Sequence, residues 1–273
     1  MNHLGLFEGI GGFSLAARWA GWHTVAWCEI NPFCQTVLKY HFPNAKQHDD
    51  IKQTNFTVYR GRIDIVTGGF PCQPYSQAGR KLGKEDERHL WPQMLRAIQE
   101  IKPRWIVGEN VPGLIGWSGG VVFEEIHIDL EFAGYEVIAF VLPAASINAP
   151  HKRERVWFVA CAKDYANSLG TDFTDALRAG REGGVYTQAC APSDSFTIKR
   201  NSPGYEPRGW QDVISEPPIC RGNYGISGGL DGITFPKWRT ESLKAYGNAI
   251  VPAVALQIFT AINQYENLVK TAQ

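Results

Sequence analysis

The chain has no surplus of charge: 27 Lys and Arg are matched by 27 Asp and Glu. A protein that coats nucleic acid without regard to sequence carries a basic excess. Any nucleic-acid contact here would need a local positive field and selective contacts. The six cysteines, at 28, 34, 72, 161, 190 and 220, contain no Cys-x-x-Cys pair. That argues against a zinc site and a disulfide framework, so no metal and a reducing cytoplasm are expected. No apolar run approaches the roughly 20 residues of a membrane span. The opening MNHLGLFEGIGGF has no basic segment leading into an apolar one, so neither secretion nor a membrane is expected. The dinucleotide fingerprint G-x-G-x-x-G is also absent, because Gly9-Ile10-Gly11 leads to Ser14 at the sixth position. This counts against a dinucleotide-dependent oxidoreductase.

What is present suits one large α/β domain with a small appendage, a size that 273 residues can supply. HLGLF (3–7) reads as a strand, EGIGGFS as a tight turn, and FSLAARWAGW (13–22) as a helix. Glycines at a strand-to-helix turn let backbone approach a nucleotide-like ligand, although the turn alone also fits a purely structural role. HTVAWCE (23–29) is a second strand ending in Glu29, about 20 residues after the glycines, the spacing at which an acid meets ribose hydroxyls. Asn31 and Pro32 form the start signal of a helix over 32–41. A third strand should end near Asp49-Asp50, which either accept from an adenine amine or are solvated.

IDIV (63–66) reads as a buried parallel strand leading into GGFPCQPYSQAG (68–79). Cys72 would then stand just beyond a strand's carboxyl end, where open α/β sheets bind ligands. A buried structural thiol is the alternative. The polar stretch 74–90 reads as a lid, 91–101 as a helix, and 104–114 as a strand delivering Glu109 to the same edge. A carboxyl flanked by Ile106 and Val107 should hold its proton longer than usual. A helix over 121–133 and strands over 135–142 and 155–162 complete the sheet, with the cations of HKRER (151–155) just before the last strand. Periodicity fades over 163–240, read as a small loop-rich domain, and an amphipathic helical pattern returns over 241–265, expected to pack back on the first domain.

FEGIGGF, PCQPYS, GENV, HKRERV and YGNAIVP, in this order, resemble the ordered motifs of DNA cytosine-5 methyltransferases, from the first residues to near the C-terminus. The resemblance implies a Rossmann-like S-adenosylmethionine-dependent methyltransferase sheet with helices on both faces. It divides the chain into a catalytic and cofactor-binding domain (1–162), a target-recognition domain (163–240) and a returning helical segment (241–273). It implies Cys72 as nucleophile toward ring carbon 6 of a flipped cytosine and Glu109 as the group acting on ring nitrogen 3. Arg155 and Arg153 would be supporting cations; for Arg153 a structural ion pair with Glu154 or Glu109 stays open.

By the same resemblance Phe7, Gly9, Gly11, Glu29, Asp50, Leu90 and Asn248 would line the S-adenosylmethionine pocket, and no metal is needed. The partner would be double-stranded DNA met by a monomer, in the cytoplasm of a bacterium or encoded by a phage, with a cognate restriction endonuclease acting separately left open. Two departures stand out. Gly5 replaces the usual acid at the start of the first motif, so a carboxylate near the donor's charged end is missing or moved, and His151 replaces a usual Gln. Rival readings are an RNA methyltransferase of the same fold, whose Cys-Phe-Thr motif is absent from the recognition region, and a catalytically silent DNA-binding protein.

Overall fold

The computed structural model describes residues 1–71, 90–167 and 235–272. At its centre is a seven-stranded sheet in the order β3-β2-β1-β4-β5-β7-β6. The strands are β1 (Asn2–Leu6), β2 (His23–Cys28), β3 (Lys46–His48), β4 (Ile65–Gly68), β5 (Trp105–Asn110), β6 (Tyr135–Pro143) and β7 (Glu154–Ala162). The first five are parallel. β7 runs antiparallel to both β5 and β6. The chain order reverses between β1 and β4, which opens a crevice at their carboxyl ends.

Helices cover both faces. Leu4, Leu6, Val66 and Ile106 meet α3 (Trp91–Ile101) and α5 (Val121–Phe132) through Met94, Ala97, Ile98, Ile126 and Leu130. On the other face Ile65, Trp105, Val107 and Trp157 meet α1 (Gly12–Trp19) and the C-terminal α8 (Pro252–Ala272). α2 (Pro32–His41) packs against α7 (Phe235–Asn248) through Phe33, Cys34, Val37 and Ala245. The short helices α4 (Gly113–Gly116) and α6 (Lys163–Asn167) follow β5 and β7.

Local chemistry explains the boundaries. Asn31 accepts from the N–H groups of Phe33 and Cys34 and Pro32 fills the first helical position, so α2 begins where its cap dictates. α1 stops at Trp19 instead of running to 22. Gly21, at φ 77°, donates to Arg18, and Trp22 donates to the Ala17 carbonyl, the paired bonds of a glycine-terminated helix end. β4 begins two residues later than 63, and β7 begins at Glu154, one residue before the expected 155.

The helical pattern expected over 241–265 is divided between two helices. α7 ends at Asn248 and α8 restarts at Pro252, whose ring is suited to a first turn. By length and composition alone Trp238–Asn267 is apolar enough to cross a membrane, a test that core helices also pass. Its apolar face packs inward instead: Phe259 stacks on Trp22 at 4.4 Å, and Val254, Ala255 and Ile262 are buried with it. Trp22 donates to Asn263 at 2.7 Å, and Trp105 donates to Glu266 at 2.8 Å.

Candidate active site

β1 ends in the turn Phe7–Gly11, where Phe7, Gly9 and Gly11 all take positive φ. For Phe7 that is a strained conformation, since a side chain disfavours the left-handed region. Open space lies beyond the missing Cβ of Gly9. At the end of β2, Glu29 accepts from the Gly9 N–H at 2.7 Å and from the Asn31 N–H at 2.8 Å, so one carboxylate ties the turn to the cap of α2. Asp50 follows β3 on the same edge; its oxygens accept from the Lys52 N–H and the Gln53 side chain, and the charges of Glu29, Asp49 and Asp50 all act on Cys28. Asn248 ends α7, and Ile250 beyond it packs where Gly12 of α1 lacks a Cβ, which brings the α7–α8 junction onto the glycine turn. The structure thus gathers Phe7, Gly9, Gly11 and Glu29 at one strand end, with the segment after Asn248 against it. Leu90 immediately precedes α3, its carbonyl accepting from the N–H groups of Gln93 and Met94.

Glu8, between Phe7 and Gly9, is 4% exposed. Its Oε1 accepts from the Ser14 N–H at 2.7 Å, while Oε2 is buried with no hydrogen-bond partner. Burial, offset in part by Ser14 and reinforced by the charge of Glu29, pushes its carboxyl up to about 7.

On the other side of the crevice β5 is buried along its whole length and delivers Glu109. The Arg155 Nε of β7 lies 3.0 Å from Glu109 Oε1. Burial raises the Glu109 carboxyl to about 7 against the opposing pull of Arg155 and then Arg153, as expected for a carboxyl among apolar neighbours. The next residue, Asn110, donates through Nδ2 to the Phe70 carbonyl at 3.2 Å. Phe70 is itself buried against Trp91 with ring centroids 5.3 Å apart, and Gly69 lies against the Glu109 carboxylate. The chain is therefore fixed beside Glu109 two residues before Cys72. Cys72 and the lid read over 74–90, apart from Leu90, lie outside the described residues, as does the recognition region beyond 167 apart from its last residues, 235–240.

Arg153, at φ 34°, donates through Nη2 to the carbonyls of Gly247 (3.0 Å) and Ala249. It holds backbone on either side of Asn248, where the carbonyls at the end of α7 lack helical partners. Glu154 instead pairs with Lys152 at 3.1 Å. The described cysteines, Cys28, Cys34 and Cys161, are free and buried, and burial pushes each thiol up to about 12. None of these three would be a thiolate at neutral pH. Glu8, Asn110 and the hold of Arg153 on the α7–α8 junction were not singled out by sequence. An acid placed inside a glycine turn was the one available signal for Glu8.

The donor set fits an S-adenosyl nucleoside on two observations: the space beyond Gly9, and a Glu29 carboxylate held at the end of β2 by two backbone N–H groups. The crevice at the reversal of strand order is where such ligands bind.

The family model of C-5 cytosine-specific DNA methylases matches residues 1–200. The chain is 38% identical over 246 residues to the Type II methyltransferase M.PspPI of Psychrobacter sp. (strain TA137), covering 84% of this chain and 59% of that protein. It is 38% identical over 169 residues to the Type II methyltransferase M.Eco47II of Escherichia coli, covering 61% of this chain and 40% of that protein. A solved structure described as a candidate DNA modification methyltransferase encoded within an E. coli prophage aligns with TM-score 0.53 and 26% identity, over 60% of this chain and 47% of that one. The chain thus spans 59% and 40% of the lengths of these two relatives. With the family model covering well over half of the chain and the motifs falling at the strand ends just described, the chain belongs to the C-5 cytosine-specific DNA methylase family.

Proposed function

We propose that the chain transfers a methyl group from S-adenosylmethionine to ring carbon 5 of a cytosine extruded from a specific duplex DNA sequence, through a transient bond to Cys72. The observation that carries this reading is the pairing of buried Glu109 with half-buried Arg155, with Asn110 fixing the chain two residues before Cys72. Carbon 5 of cytosine is too electron-poor to take a methyl group directly. Addition of the Cys72 thiolate to carbon 6 would form a C–S bond and push electrons toward carbon 5. A carboxyl held near 7 is suited to donate to ring nitrogen 3 as that charge develops. Arg155 would steady both carboxyl and ring. After transfer, loss of the carbon 5 proton to a base returns the electrons that expel the thiolate. A stacked base cannot present carbon 6 to a side chain, so extrusion must come first.

Bound S-adenosylmethionine supplies an electrophilic methyl group. We assign Phe7, Gly9, Gly11, Glu29, Asp50, Leu90 and Asn248 to holding it, with Glu29 on the ribose hydroxyls and Asp50 on the adenine amine. For Arg153 we propose a positioning part, keeping Asn248 at the donor side through the carbonyls of Gly247 and Ala249. Target choice is assigned to residues 163–240, the catalytic and donor work to 1–162, and completion of the donor pocket to 241–273. The buried free thiols Cys28, Cys34 and Cys161 suit a reducing cytoplasm, and the Type II naming of the relatives fits a restriction–modification setting with a separate cognate endonuclease.

Incubation with tritium-labelled S-adenosylmethionine and either duplex DNA or tRNA tests the reading. Label in DNA, recovered on digestion as 5-methylcytosine, supports it. Label in tRNA alone transfers the activity to the RNA reading, and label in neither contradicts both.

A further inference from the structure

The N-terminus of α1 carries an unexpected occupant. Backbone N–H groups at the start of a helix form a ready site for an anion such as a nucleotide phosphate. Here the chain's own carboxylate enters that site, since Glu8 Oε1 accepts from the Ser14 N–H of the first turn at 2.7 Å. The neighbouring donors are also engaged, Gly9 N–H by Glu29 and Gly11 N–H by the Glu8 carbonyl. The fold makes room for this carboxylate at residue 5: a Cβ on Gly5 would lie 1.8 Å from Glu8 Oε2. Glu8 has no ion-pair partner among the described residues, and its second oxygen is buried without a hydrogen bond. A half-satisfied buried carboxylate costs stability unless something completes it.

We propose that Glu8 sets the charge selectivity of the donor pocket: its carboxylate fills the α1 N-terminus, excludes a phosphate there, and supplies the counter-charge for a cationic nucleoside. In a water-poor interior such a charge acts strongly on a bound cation. Glu29, the nearest other acid, adds to the negative field. This inference rests on the S-adenosylmethionine reading and extends it to how the pocket tells that cation from phosphorylated or uncharged adenosine compounds.

Calorimetric titration of the full chain with three probes tests it: S-adenosylmethionine, uncharged 5′-methylthioadenosine, and adenosine 5′-monophosphate. Glu8→Gln should lose about tenfold or more in affinity for S-adenosylmethionine, the loss of one charge-assisted contact. Its affinity for methylthioadenosine should be unchanged, and its affinity for the monophosphate should rise. A folded Glu8→Gln that binds S-adenosylmethionine as tightly as wild type overturns the proposal. A second readout uses the wild type alone. Binding of S-adenosylmethionine at pH 7 should release protons, seen as a heat that depends on the buffer's ionisation enthalpy. The release should be absent with methylthioadenosine and should persist in Glu109→Gln. A heat independent of buffer contradicts the proposal even if Glu8→Gln fails to fold. Wild-type protein that binds neither S-adenosylmethionine nor methylthioadenosine would instead remove the donor reading itself, and this inference with it.

Discussion

At the ends of β1 and β2 the carboxylates of Glu8 and Glu29 are held by backbone N–H groups, whereas at the end of β5 Glu109 is held by the guanidinium of Arg155. Glu8 and Glu109 are each pushed up to about 7, chiefly by burial. Their partners differ. Glu109 has a permanent cation to balance its charge and can pass between protonated and ionised forms where it stands. Glu8 has none among the described residues, so on our proposal a bound ligand would complete its charge. On the proposed reading, similar pKa values would accompany different tasks, proton handling on the target side and charge selection on the donor side.

The comparison breaks most sharply at Glu109. Glu109→Gln should lower the rate of the methyl-transfer step by a factor on the order of 10²–10⁴, with donor affinity unchanged, measured by single-turnover methylation and by titration. If Glu109→Gln and Glu8→Gln altered the same parameter, the two-sided account would be wrong. Next in size is the seam that carries Asn248 to the donor side. Phe259→Ala removes the ring stacked on Trp22 and should destabilise the fold by about 3–5 kcal/mol in denaturant unfolding. Arg155→Met should move the pH dependence of turnover governed by Glu109 upward, because Arg155 is the larger of the two cationic pulls lowering that carboxyl.

A smaller effect comes from His3, buried between Thr24 (3.1 Å) and Thr67 (2.8 Å), its imidazole lowered by burial from 6.5 to about 3. Between those values the unfolded chain binds a proton that the folded chain refuses. The His3 contribution is therefore present above pH 6.5 and lost as pH falls toward 3. Glu8 and Glu109 have the opposite sign: the folded chain keeps protons that the unfolded chain releases above 4.5, so their contribution fades as pH rises through about 7. Glu8→Gln should thus gain stability relative to wild type between pH 4.5 and 8, while His3→Gln should flatten the acid limb; urea midpoints across pH report both.

Much of this arrangement was legible because it is written in local signals. Asn31-Pro32 marked the start of α2, and Pro103 marked a stop just beyond the end of α3. Glu29 and Glu109 could be placed from their positions after apolar runs. The features that escaped depend on long-range geometry. Arg153 reaches carbonyls 94 and 96 residues away. Gly5 was visible as a departure from the family pattern, but the return of Glu8 over it requires the turn's conformation. The break between α7 and α8 was missed because amphipathic periodicity continues across it, although Pro252 was in view. The antiparallel direction of β7 has no mark in its composition, since a strand buried on both faces reads alike in either direction.

The account stands most directly on trapping. Duplex DNA with 5-fluorocytosine at the target, incubated with the protein and S-adenosylmethionine, should give a stable protein–DNA adduct whose peptide mass places the bond at Cys72, because fluorine cannot leave as the proton does. Cys72→Ser should give no adduct and no turnover. An adduct mapped to another residue, or near-normal methylation by Cys72→Ser, would contradict the covalent mechanism.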